Sequence, residues 1–140
     1  VHQKLDLETL TLMHRLKTGA MIRASALMGL YAGRTMPSAA LVGLIIQYAD
    51  AIGLAFQVID DILDVTADTK VLGKTAGKDA AEDKPTYVSL LGLDQSRAMA
   101  QDEINKALNA LEQIELLSED YRGKTQRLSE IARYILSRDH

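Results

Sequence analysis

Pro37 and Pro85 are the only prolines among 140 residues, and Ala, Leu, Glu, Gln, Lys and Met fill the long intervals around them. Proline cannot donate the backbone hydrogen bond that a helix interior requires, whereas those six residues lose little on entering a helix. Helix is therefore expected nearly throughout, and no segment shows the alternation of a strand. The fold class is all-α, an orthogonal or up-down helical bundle. Aromatic residues make up only 4% of the chain, with one Phe and no Trp, so the core must be built from Leu, Ile, Ala and Met.

Leu5, Leu7, Leu10, Leu12, Met13 and Leu16 recur at helical spacing, and the pattern resumes with Met21, Ile22, Leu27, Met28 and Leu30. Between them, Thr18 and Gly19 are poor helix-interior residues and predict a kink or break. Pro37, with Ser38 or Thr35, starts a second long helix running to about Val65. That helix is apolar on most sides, as befits an element in the middle of a bundle. From Thr66 to Pro85 the chain reads TADTKVLGKTAGKDAAEDKP, a polar loop of little periodicity and of a length that usually implies function or disorder. A short helical piece, TYVSLLGL, follows. Then come a helix with Asp94 as N-cap reaching about Leu117, and a last amphipathic helix from near Asp120 to Ser137.

The length allows about one domain with one core. A formal charge of -3 excludes an electrostatic nucleic-acid binder, which needs a basic face. Without cysteine there is no disulfide or thiolate site, which fits a reducing, cytoplasmic setting. His2, His14 and His140 lack metal-ligand spacing and read as ordinary surface or end-of-chain residues. The longest apolar stretch, Ala39 to Ala49, is interrupted by Gln47 and followed by Asp50. It is too short to span a bilayer, and stable membrane insertion is not expected. The opening HQKLDLETLTLMHRLKTG already reads as mid-helix, so the chain is expected to begin inside a larger protein.

Within the second helix, FQVIDDILD places Asp60, Asp61 and Asp64 among large apolar side chains with no basic residue between them. Asp60 and Asp64 stand about 40° apart around the helix and Asp61 and Asp64 about 60°, with Gln57 on the same side. If partly buried, one such pair at about 6 Å repels by ~3 kcal/mol at an effective dielectric of about 20. A divalent cation reverses that sign, and oxygen-only ligands at i and i+4 suit a hard ion such as Mg²⁺. From spacing alone, a solvated helix end is an equally good reading. An EF-hand is excluded because the alternating Asx residues and central Gly are missing. The GKT at Gly73 to Thr75 is not a phosphate-binding loop, since its first glycine would fall at Asp68 and no strand precedes it.

The remaining polar residues favour the metal. Lys17 and Thr18 lie at the expected kink, where a lysine beside a hydroxyl can hold an anionic oxygen. Lys74, Lys78 and Lys84 stud the loop after the acidic helix. Singly, each reads as a solvated charge. Together, acids that hold ions and lysines that neutralise phosphate are what a metal-diphosphate site requires.

KTG at Lys17 to Gly19, GLAFQVIDDILDV at Gly53 to Val65, LGK at Leu72 to Lys74, GKD at Gly77 to Asp79 and KPTYVSLLGL at Lys84 to Leu93 occur in the order and spacing of trans-isoprenyl diphosphate synthases. The chain resembles the C-terminal half of a bacterial synthase of this family, over essentially all 140 residues. The resemblance implies the C-terminal half of the isoprenoid synthase fold, with residues 1–140 forming part of a single domain. It implies a Mg²⁺-dependent prenyltransferase that joins an allylic diphosphate (dimethylallyl or geranyl) to isopentenyl diphosphate, giving farnesyl diphosphate and pyrophosphate.

On the same ground Asp60, Asp61 and Asp64 are the second aspartate-rich motif, with Asp60 and Asp64 the direct ligands. Lys17, Lys74 and Lys84 contact the allylic diphosphate. Thr18 and Gln57 line the position of the allylic cation, and Phe56 touches substrate near the reacting carbons. Catalytic roles thus fall to Asp60, Lys17, Thr18 and Gln57. A homodimer is implied as well. The family's first aspartate-rich motif has no counterpart here, so these 140 residues alone are expected to be inactive. Geranylgeranyl or another short-chain product, a non-catalytic regulatory subunit, and (ranked lower) a class I terpene cyclase are the alternatives.

Overall fold

A computed structural model describes residues 2–14, 19, 23, 37–71 and 85–139. Five α-helices stand among them: α1 (His2–His14), α2 (Ala39–Val71), α3 (Tyr87–Leu91), α4 (Leu93–Leu117) and α5 (Gln126–Ser137). A 3₁₀ turn, Glu119–Tyr121, leads from α4 toward α5. The described residues contain no strand, so the all-α expectation holds.

The core lies chiefly along the seam between α2 and α4. Ser96, Ala100, Ile104, Ala107, Leu111 and Ile114 recur every three or four residues on α4 and are all buried, the spacing of a single helix face. Facing them, Leu54, Ala55, Val58, Ile59 and Ile62 of α2 are buried in the same cluster. Alanines on one helix set against isoleucines and valine on the other let the two elements approach closely. Each of Val58, Ile59 and Ile62 contributes roughly 1.5–3 kcal/mol by leaving water. Tyr48 ties α5 to this seam, its hydroxyl donating to the Leu128 carbonyl at 2.7 Å. Burial pushes that phenol up to about 12.

Several element boundaries differ from expectation. α2 does begin after Ser38, whose hydroxyl accepts from the Leu41 backbone at 3.1 Å. It continues to Val71 rather than ending near Val65. No glycine or proline interrupts Thr66–Val71, and Thr66 turns its hydroxyl back onto the Ile62 carbonyl at 2.9 Å, which satisfies it within the helix. Asp94 is not an N-cap. It sits in the first turn of α4, and the capping position belongs to Gly92 at φ 86, a conformation that favours glycine. Gly92 also closes α3, whose start carries a reciprocal Thr86–Ser89 capping box.

The last helix starts at Gln126, not near Asp120. A turn with Gly123 at φ 75 intervenes, and Thr125 spends its hydroxyl on Glu115 rather than on capping α5. Gly19, buried and in π-helical backbone, lies where the sequence predicts a kink. By length and hydropathy, Ala39–Thr66 is apolar enough to cross a membrane, a broader window than the short apolar stretch read above. Core helices of bundles have the same composition, and the seam with α4 is where Val58, Ile59 and Ile62 go.

Candidate functional site

The acidic flank lies beside the most deeply buried part of α2. Val58, Ile59 and Ile62 are 0–1% exposed. Between and just beyond them, helical geometry turns Asp60, Asp61 and Asp64 away from that buried face. Asp60 and Asp61 are half-buried and Asp64 is exposed. Phe56 and Gln57, one turn earlier, are half-buried as well.

Asp60 meets a basic residue from 78 positions away. Arg138, in the turn after α5, donates from Nη2 to Asp60 Oδ1 at 2.9 Å. The same guanidinium lies 4.8 Å above the Phe56 ring, within cation–π range. Next to it, Asp139 accepts from Arg97 Nε of α4 at 3.0 Å, and its side chain is only 2% exposed. The sequence around these acids offers no cation, and the structure supplies one at Asp60 from the far end of the chain.

Asp61 has a different partner. Its Oδ2 accepts the Tyr87 backbone N–H at 2.8 Å. Burial pushes its carboxyl up to about 6, and the charges of Asp64 and Asp60 push the same way, against the lowering effect of the Tyr87 bond. Tyr87 is itself fully buried. Its hydroxyl donates to Thr11 Oγ1 at 3.3 Å and lies 3.1 Å from His14 Nδ1, so it bridges α1 and the acidic helix. His14 is therefore half-buried against the Tyr87 ring rather than an ordinary surface residue.

Lys17, Thr18, Lys74 and Lys84 lie outside the described residues. The structure thus brings Asp60, Asp61, Asp64, Phe56 and Gln57 onto one stretch of α2 and adds Arg138, Arg97 and Tyr87, which the sequence reading missed. A groove lined by Leu91, Gln95, Met99, Asp102, Glu103 and Lys106 lies on α3 and α4 and does not include the aspartates.

The resemblance to trans-isoprenyl diphosphate synthases implies a magnesium ion for this flank, and the donor types present fit one by chemistry. The donors are carboxylate oxygens only, burial and then the charges of Asp64 and Asp60 raise Asp61, and a guanidinium already stands at Asp60 as a cation. Among the described residues no three acidic or histidine side chains form a ready-made coordination sphere. Magnesium commonly takes only one or two carboxylates and completes its shell with water and phosphate oxygens, so a closed protein cage is not required.

The sequence model of the Polyprenyl synthetase family matches residues 1–121. Among curated proteins, the chain is 48% identical over 113 residues to a probable farnesyl diphosphate synthase of Bradyrhizobium diazoefficiens, covering 79% of this chain and 34% of that one. It is 44% identical over 133 residues to the farnesyl diphosphate synthase of Escherichia coli, covering 95% and 43%. A chloroplastic geranylgeranyl pyrophosphate synthase of Catharanthus roseus is 41% identical over 134 residues, covering 96% and 35%. The chain spans less than half the length of each of these relatives. With the family model matched over most of its residues and the aspartate-rich helix at its centre, the chain belongs to the polyprenyl synthetase family.

Proposed function

We propose that this chain carries the second aspartate-rich motif of a magnesium-dependent prenyltransferase. The reaction joins dimethylallyl or geranyl diphosphate to isopentenyl diphosphate, giving farnesyl diphosphate and pyrophosphate. What carries the reading is the acidic flank of α2, where three carboxylates crowd a core helix and burial, with the charges of Asp64 and Asp60 adding to it, pushes the Asp61 carboxyl up. It stands in a chain 44% identical to a relative named for that product. A geranylgeranyl product is the second reading, favoured by the relative of that name at 41% identity.

In this reading Asp60 and Asp64 hold the ion, with Asp61 beside them. When bound, magnesium supplies the positive charge that makes pyrophosphate a competent leaving group. Lys17, Lys74 and Lys84 bind the allylic diphosphate, while Thr18, Gln57 and Phe56 line the place where the allylic cation forms. The apolar bundle interior keeps water from that cation. The sequence holds one DDxxD, so the proposal includes that these 140 residues do not condense substrates alone and act as part of one domain in a cytoplasmic homodimer.

A chimera tests this. Replacing the matching segment of the Escherichia coli farnesyl diphosphate synthase with this chain should give an enzyme that elongates geranyl diphosphate in the presence of Mg²⁺. Asp60→Ala in that chimera should abolish turnover. A folded chimera that is inactive, or one indifferent to Asp60→Ala, overturns the assignment, and chromatography of the product separates the farnesyl from the geranylgeranyl reading.

A further inference from the structure

The acidic flank holds a cation of the chain's own, and its manner of binding is weak. Arg138 touches Asp60 through one nitrogen only, Nη2 at 2.9 Å, not through the two-bond fork that makes guanidinium–carboxylate pairs strong. Its Nη1 is buried and has no hydrogen-bond partner among the described residues. The pair is also part-exposed, 25% at Arg138 and 39% at Asp60, so solvent screens it. A doubly charged ion with oxygen affinity competes for the same carboxylate.

The turn carrying Arg138 is pinned from the other side. Asp139, nearly inaccessible, pairs with Arg97 of α4 at 3.0 Å. Neighbouring residues of opposite charge are thus pulled to opposite helices, Asp139 to α4 and Arg138 to α2. The Phe56 face below the guanidinium fixes its approach.

We infer that Arg138 is a resident substitute for the metal. It holds Asp60 while no divalent ion is bound, and it is displaced, together with its turn, when one binds. The inference rests on the magnesium reading above and assigns to Arg138, Asp139 and Arg97 a regulatory role at that site.

Mn²⁺ alone is the probe, its binding to the 140-residue chain read by electron paramagnetic resonance. Arg138→Gln should bind Mn²⁺ about fivefold more tightly than the wild type, the effect of removing a screened ion pair. Arg97→Gln, which leaves Arg138 in place and frees the turn, should shift affinity the same way and carries the test if Arg138→Gln does not fold. In the wild type, Mn²⁺ should speed amide hydrogen exchange at Arg138 and Asp139. Equal Mn²⁺ affinity in wild type and both variants, with no change in exchange, overturns the substitution while leaving the metal site standing. Failure of the wild type and the variants to bind Mn²⁺, or binding that Asp60→Asn does not weaken, overturns both.

Discussion

The backbone N–H of Tyr87 donates to Asp61 Oδ2 at 2.8 Å and so fastens the start of α3 to the acidic flank of α2. The bond needs an oxygen at Asp61 but not a charge. The charge is a burden there, because burial and then the neighbours Asp64 and Asp60 push this carboxyl up to about 6.

Asp61→Asn should therefore keep the acceptor, shed the disfavoured charge and stabilise the chain at pH 7. The gain is on the order of 1 kcal/mol once screening of a part-exposed group is discounted. Asp61→Leu removes the acceptor and leaves a backbone donor unpaired, a cost of about 1–3 kcal/mol. Urea unfolding of the two variants should bracket the wild type. A leucine variant as stable as the asparagine one would show that the Tyr87 bond contributes nothing.

Tyr87→Phe isolates the other end of the same residue. It spares the backbone bond to Asp61 and removes the hydroxyl that reaches Thr11 and lies beside His14. A loss of about 1 kcal/mol is expected, concentrated on α1. Amide exchange should accelerate for residues 7–14 and stay unchanged along the α2–α4 seam.

How much of this was readable beforehand depended on whether the determinant was local. The start of α2 was legible because a cap residue directly precedes the apolar run, and Ser38 does cap it. Its end was not, because Thr66, Asp68, Thr69 and Lys70 break the apolar pattern without being helix breakers. The aspartates stood out because like charges at helical spacing are a local pattern. Arg138 did not, since an ion pair spanning 78 residues leaves no spacing to notice. Tyr87 lies within the KPTYVSLLGL motif, yet its bond to Asp61 comes from a backbone N–H, a donor that nearly every residue type carries. His14 looks like a surface residue in the sequence for the same reason, its tyrosine partner being 73 residues away.

Ser96 is fully buried on the α4 face, and its hydroxyl has no hydrogen-bond partner among the described residues. A buried hydroxyl without a partner costs free energy that alanine does not incur, and alanines already occupy positions 100, 107 and 110 of that face. Ser96→Ala should be neutral or stabilise by about 1 kcal/mol. A clear loss of stability in thermal or urea unfolding would mean that the hydroxyl is satisfied in solution.

Glu115 joins α4 to α5 and gives the fold an acid-sensitive point. Its Oε2 accepts from the Thr125 hydroxyl, and its Oε1 accepts from the Gly123 backbone N–H at 3.0 Å. The Thr125 bond first, then the Gly123 bond, hold the carboxyl below the usual carboxylate range. A carboxyl depressed by folding is protonated more readily in the unfolded chain, so acid favours unfolding. The stabilisation is fully present above the ordinary Glu value, falls as pH drops below it, and is gone beneath the depressed native value. Glu115→Gln keeps an acceptor but not the charge. The wild type should be the more stable of the two at pH 7, and the gap should close in acid, below the depressed native value. The two unfolding curves, taken across that range, check it, and a gap that persists in acid would mean that shape rather than charge makes Glu115 matter at this turn.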